Sequence, residues 1–186
     1  MRIGIGMLVF FLLSACSTSG GKIIEPGPGS ASVDQGATDP AVGNELSELE
    51  AAVTTTAEAL LTSVNLHRAL SGVPPLIQQA ELTGIANDRA AAMATSGNMG
   101  HVDPQSGMVV VEQRLQEAGF QGQAAELLFD SLGPLSELPD LTAESWFADA
   151  DHKLVLLGPE FRYAGIGVMG DGQRWIVVAV LTGDLP

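Results

Sequence analysis

Positive charge is scarce in this chain. Of 186 residues, 8 are Lys or Arg against 22 Asp or Glu, so the formal net charge at neutral pH is −14. A nucleic-acid binder needs a basic stripe to neutralise phosphates, and this composition does not supply one. The same deficit disfavours electrostatic attachment to anionic lipid, while cationic ligands and metal ions stay admissible. Cysteine is rarer still. Cys16 stands alone, which excludes an internal disulfide and requires the domain to be held by its core. No apolar run is long enough to span a bilayer, which takes about 20 residues. Enzyme signatures are missing as well: there is no Gly-x-Ser-x-Gly elbow, phosphate loop or His-Glu-x-x-His zinc motif. Gly165-Ile-Gly167 falls inside a predicted strand, the wrong context for dinucleotide binding.

What is present begins with an address. Arg2 precedes a nearly all-apolar stretch from Ile3 to Leu13, which reads as the core of a secretory signal. It ends in Leu13-Ser14-Ala15-Cys16, which resembles a bacterial lipobox with Cys16 as the lipid-modified residue. Residues 1–16 are therefore expected to be a lipoprotein signal peptide. This implies attachment to the cell envelope through the lipid on Cys16, with the domain outside the cytoplasm. Ser17 after the cysteine is compatible with outer-membrane sorting in a Gram-negative source. Residues 17–44 are rich in Gly, Ser, Pro, Ala and Thr, too poor in apolar surface to offset ordering entropy. They read as a flexible tether with a reach of roughly 30 Å.

The length leaves room for one domain of ordinary size, expected over residues 45–186. Apolar residues at helical spacing (Leu46, Leu49, Val53, Ala57, Leu60, Leu61, Val64) predict a helix from Glu45 to Leu70, weakened at Thr54-Thr55-Thr56 and ended by Gly72 and Pro74-Pro75. Further helices are predicted over 80–96, 108–118 and 142–157. Gln123 to Phe129 reads as a short edge strand. Arg162 to Met169 and Trp175 to Leu181 flank Gly170-Asp171-Gly172 and predict a hairpin, the second strand buried. The content is that of an α+β domain with both faces of its sheet covered.

Few residues carry obvious chemistry. Trp146-Phe-Ala-Asp149-Ala-Asp-His152 places a carboxylate and an imidazole three apart, which on one helix shares a face. Asp149 also fits a solvated helix position. His101 follows a predicted helix C-terminus, where a charged imidazole is favourable with or without a function. Glu126 lies in an apolar run and needs a partner if buried, or points to solvent if the strand register is the other one. His67 reads as a surface residue, and Trp146 and Trp175 as core.

The ordered set of these elements resembles a known family. Asn65-Leu-His-Arg68, Gly72-Val-Pro-Pro-Leu76, the helix with Leu82, Ala86 and Met93, Gly100-His101, Glu126, Trp146-x-x-Asp149-x-x-His152, Phe161-x-x-x-Gly165-Ile-Gly167 and Trp175 occur in the order of the bacterial CAP superfamily (cysteine-rich secretory proteins, antigen 5 and pathogenesis-related proteins). The resemblance covers about residues 55–183. It implies a three-layer α-β-α sandwich whose cleft is lined by two histidines and two acids. By position those are His101 and His152, with Glu126 and Asp149 as the acids. It also implies that the histidines can bind zinc or another divalent ion, and that a small lipid or cell-wall component is a candidate ligand. Two departures stand out: Leu127 replaces the family's usual asparagine, and Asp149 is one methylene shorter than glutamate. Asp151 adds a carboxylate beside His152. The functional expectation is a lipid-anchored envelope protein binding a small ligand or metal in this cleft. The alternatives are a hydrolase with Glu126 or Asp149 as general base, and a non-catalytic adhesive or structural module acting through its acidic surface.

Overall fold

The computed structural model describes residues 40–186 apart from residue 105; the expected signal peptide with Cys16 and residues 17–39 of the expected tether lie outside the described residues. The chain runs α1 (Pro40–Leu70), β1 (Ile77–Gln78), α2 (Ala80–Ser96), α3 (Val110–Glu117), β2 (Ala124–Ser131), a 3-10 turn (Leu135–Glu137), α4 (Leu138–Ala148), α5 (Ala150–Leu156), β3 (Tyr163–Gly170) and β4 (Trp175–Thr182). The strands form one mixed sheet in the order β1-β3-β4-β2. β1 runs parallel to β3, while β4 is antiparallel to both β3 and β2.

All eight residues of β4 are buried, and they divide by parity. Trp175, Val177, Ala179 and Leu181 enter a core with Leu60 and Val64 of α1, Trp146 of α4 and Leu156 of α5. Ile176, Val178 and Val180 enter a second core with Leu82, Ala86, Ala90 and Met93 of α2 and Leu115 of α3. A strand with core on both sides cannot alternate in polarity, which is why its sequence is continuously apolar. The result is an α+β sandwich of three layers, as expected.

Close packing of α2 on β3 depends on two glycines. A Cβ at Gly165 would overlap the backbone of Leu82 and Thr83, and one at Gly167 that of Ala86 and Asn87. The predicted hairpin forms too. Asp171 Oδ1 accepts from the N–H groups of Gln173 and Arg174 at 2.9 and 2.8 Å, and Gly172 takes φ +87°.

Several expectations are corrected. α1 begins before Glu45, so residues 40–44, assigned to the tether, are helical. The helix runs on through Thr54–Thr56, whose hydroxyls each donate to the carbonyl four residues back (Glu50, Ala51, Ala52) at 2.9 Å. Leu46 and Leu49 do not join the packed stripe; they are 57% and 43% exposed on a part of α1 that projects past the core. The helix expected over 142–157 begins at Leu138 and is two helices broken at Asp149, whose backbone is extended (φ −83°, ψ 130°). His67 is half-buried rather than a surface residue, stacked on Phe147 of α4 with ring centroids 4.0 Å apart. The two-residue strand β1 was not expected.

Candidate functional site

α2 lies across the sheet with its apolar positions facing β3 and β4, and Arg89 falls on that inward face beside Ala86, Ala90 and Met93. After Gly97 (φ +69°) terminates α2, the chain turns back and presents His101, itself 8% exposed. On β2, Ala125 and Leu127 face the α1 side, so Glu126 faces α2 and is buried to 1% exposure. Register therefore decides between the two readings of Glu126: it points inward and is partnered.

Its partners use both carboxylate oxygens. Arg89 Nε donates to Oε1 at 2.9 Å, and His101 Nδ1 meets Oε2 at 2.6 Å. A terminal nitrogen of Arg89 also donates to the carbonyl of Gly100, the residue before His101. Arg89, Glu126 and His101 thus form a buried charged cluster between α2, the segment after it and β2. A buried carboxylate without such partners would be strongly unfavourable. Sequence reading missed Arg89, although a signal existed: it lies seven residues after Leu82 and three after Ala86, at the spacing of the buried stripe.

Asp149 and His152 are adjacent for a different reason from the one expected. Asp149 caps α5, its Oδ1 accepting from the backbone N–H groups of Asp151 and His152 at 3.0 and 2.9 Å. The cap leaves its side chain 49% exposed and holds Oδ1 3.1 Å from His152 Nδ1. That nitrogen is buried and has no aligned hydrogen bond, because the oxygen is turned towards the two backbone donors. The hydrogen bond from the His152 N–H is the main reason that the Asp149 carboxyl is held below the usual carboxylate range. Burial is the largest influence on His152 and lowers its pKa. The Asp149 carboxylate opposes this, while nearby His101 lowers it further. The two histidines are thus within electrostatic reach of each other.

Among the described residues no three His, Cys, Asp or Glu side chains converge as a ready-made metal site. The nitrogen donors that the resemblance assigns to an ion are the two imidazoles. Glu126 engages Nδ1 of His101, the kind of carboxylate contact that orients an imidazole. Two nitrogens plus solvent suit an exchangeable ion rather than a closed structural site.

A second buried arginine holds the frame. Arg68 is fully buried, donating from Nε to Pro74 O at 2.8 Å and from its terminal nitrogens to the carbonyls of Leu156, Gly158 and Phe161 at 2.5, 3.2 and 2.9 Å. Asn65 completes the junction: its amide donates to Leu76 O at 3.0 Å and accepts from Leu76 N at 2.7 Å. These contacts tie the end of α1 to the strand entry at β1 and to the loop after α5, the helix that carries His152.

A three-layer α-β-α sandwich with paired histidines and acids at the edge of its sheet defines the class. Residues 61–181 match the cysteine-rich secretory protein (CAP) family, and the chain belongs to it. Solved structures agree at the level of the fold. A cysteine-rich secretory protein of Staphylococcus aureus superposes with a TM-score of 0.55 at 18% identity, covering 68% of this chain and 38% of that one. An outer surface protein of Borrelia burgdorferi gives 0.56 at 14% identity, covering 68% and 91%. An extracellular SCP-domain protein of Bacillus anthracis gives 0.56 at 17% identity, covering 78% and 45%. The matched region is thus less than half of the S. aureus and B. anthracis chains. No curated protein sequence matches this one.

Proposed function

We propose that this chain is a lipid-anchored, cell-envelope CAP-domain protein that binds a small polar ligand or divalent ion through His101 and His152. The observation that carries the proposal is the buried Arg89–Glu126–His101 cluster. Apolar packing of similar volume is often as stable or more so, so a buried ionic cluster invites a functional explanation. His152, whose pKa burial pushes below its ordinary value, adds a second nitrogen donor. A divalent ion there would supply Lewis acidity; the chain's own contribution is to orient the rings.

The acids favour binding over hydrolysis. Both Glu126 oxygens are already engaged and the side chain is buried, so it is badly placed to activate water. A carboxyl held at low pKa, as Asp149 is, makes a weak general base at neutral pH. Placement outside the cytoplasm rests on the signal-like segment ending at Cys16 and on the surface and extracellular descriptions of the Borrelia and Bacillus relatives. No described helix is long and apolar enough to cross a membrane.

Elemental analysis of protein purified without chelator, with a lipid extract of the same sample, tests the binding claim. Metal or co-purified ligand that disappears in a His101→Ala, His152→Ala variant supports it. Retention of the same metal or ligand by that variant removes it. Membrane fractionation of Cys16→Ala tests the anchor: release into the soluble fraction is expected, and unchanged membrane recovery contradicts it.

A further inference from the structure

We propose that the projecting part of α1, a surface separate from the histidine site, is a docking face for a basic amphipathic helix. Leu46, Leu49 and Val53 recur at spacings of three and four, and Ala57, Leu60 and Val64 continue the series into the core. At 3.6 residues per turn all six fall within about 80° of one another, so a single stripe runs along the helix. Its second half packs against β3 and α4. Its first half has no such cover, since every residue from Gly43 to Ala52 is exposed. An apolar stripe stabilises a helix only when something packs on it. A seam at spacings of three and four is the surface that one helix presents to another.

Charge defines the partner. On the helix Glu45 and Glu50 flank the stripe on either side, and both are exposed. No Lys or Arg occurs between Pro40 and His67. Where α1 meets the body it touches the 3-10 turn Leu135–Glu137, and this neighbourhood is of the same kind. Leu132, just before the turn, is 80% exposed, and Glu137 and Asp140 are exposed acids. Arg174 is already engaged, paired at 2.8 Å with Asp130, two residues before Leu132. Nor do Glu45 and Glu50 serve the dipole of α1: its first turn holds no acid, and that effect fades beyond one turn. A second copy of the chain would set Glu45 and Glu50 against their own counterparts, which is repulsive. Lys or Arg beside the partner's stripe meets them instead, as flanking charges set partner choice between paired helices.

The test titrates the full chain, in nonionic detergent, into a labelled three-heptad peptide with Leu along its stripe and Lys on both flanks. Binding is expected by fluorescence anisotropy, weakened about tenfold or more in the variant Leu46→Ser, Leu49→Ser. Both leucines are exposed, so that variant keeps its core. Glu45→Gln, Glu50→Gln is expected to weaken binding as well and to flatten its salt dependence. The same peptide with Glu in place of Lys is expected not to bind. Failure of the Lys-flanked peptide to bind wild type overturns the proposal. Equal binding by wild type and Leu46→Ser, Leu49→Ser overturns it too, since the peptide then adheres to acidic surface or micelle alone. Equal binding of the Lys- and Glu-flanked peptides removes the basic partner. A wild-type dimer in sedimentation that Leu46→Ser, Leu49→Ser abolishes assigns the stripe to a second copy and overturns the proposal equally.

Discussion

At the scale of the residue, position within the local hydrogen-bond pattern decides role more than residue type does. Asp149 illustrates this. The sequence places it three before His152 on one helix, but its carboxylate competes with the helical backbone and ends that helix instead. The pair still meets at 3.1 Å, because capping brings the Asp149 oxygen to the start of the helix that carries His152. Asp149→Ala is expected to lower the urea-denaturation midpoint, because it removes this cap; an unchanged midpoint would contradict the assignment. Arg68 should matter more. Arg68→Met removes the guanidinium donor from the carbonyls of Pro74 and of buried Leu156, Gly158 and Phe161, and a loss of about 3 kcal/mol or more is expected by the same measurement. The pH dependence follows from His152, whose folded pKa lies below its ordinary value of 6.5. The unfolded chain then binds the proton more readily than the folded one. The His152 contribution is therefore fully present above about 6.5 and is lost as pH falls through that value towards the folded pKa. Asp149, Asp151 and His101 bear on the same ring, and a His152→Gln variant should flatten the melting-temperature profile in that window.

At the scale of the element, strands and helices with strong patterns are legible in the sequence. The hairpin of β3 and β4, the edge position of β2 and the extent of α2 follow from β-branched runs, turn residues and a glycine stop. What is not legible depends on tertiary context. β1 is two residues long and exists because β3 offers it hydrogen bonds. The break at Asp149 needs the side chain to be seen capping, and the burial of Glu126 needs the register of β2 against β4, in which it pairs with Val180. Arg89 sits visibly on the inward stripe of α2, yet charge there contradicts the apolar pattern until its partner on β2 is known. The glycines of β3 belong to this scale as well. Gly165→Ala or Gly167→Ala pushes a methyl group into the backbone of α2, so a loss of about 3 kcal/mol or more is expected. Thermal unfolding of either variant within a degree of wild type would mean that α2 sits farther from β3 than described. By contrast, Leu49→Ser on the projecting part of α1 should change stability by less than about 0.5 kcal/mol.

At the scale of the whole molecule, the sandwich brings together residues from both of its outer layers. Arg89 and His101 come with α2 on one side of the sheet, His152 with α5 on the other, and Glu126 from the edge strand between them. Carbonyl contacts from Arg68 fix the end of α5 and the loop after it to α1. Family membership accounts for this frame, and the acidic composition keeps cationic ligands admissible without naming one. The central claim is that His101 and His152 act together as a binding site oriented by Glu126. Equilibrium dialysis against zinc, comparing wild type with His101→Ala, His152→Ala and Glu126→Gln, tests it most directly. The account predicts that wild type takes up zinc, that each histidine variant loses this uptake, and that Glu126→Gln weakens it by about tenfold or more. Equal zinc uptake by all four proteins would contradict it.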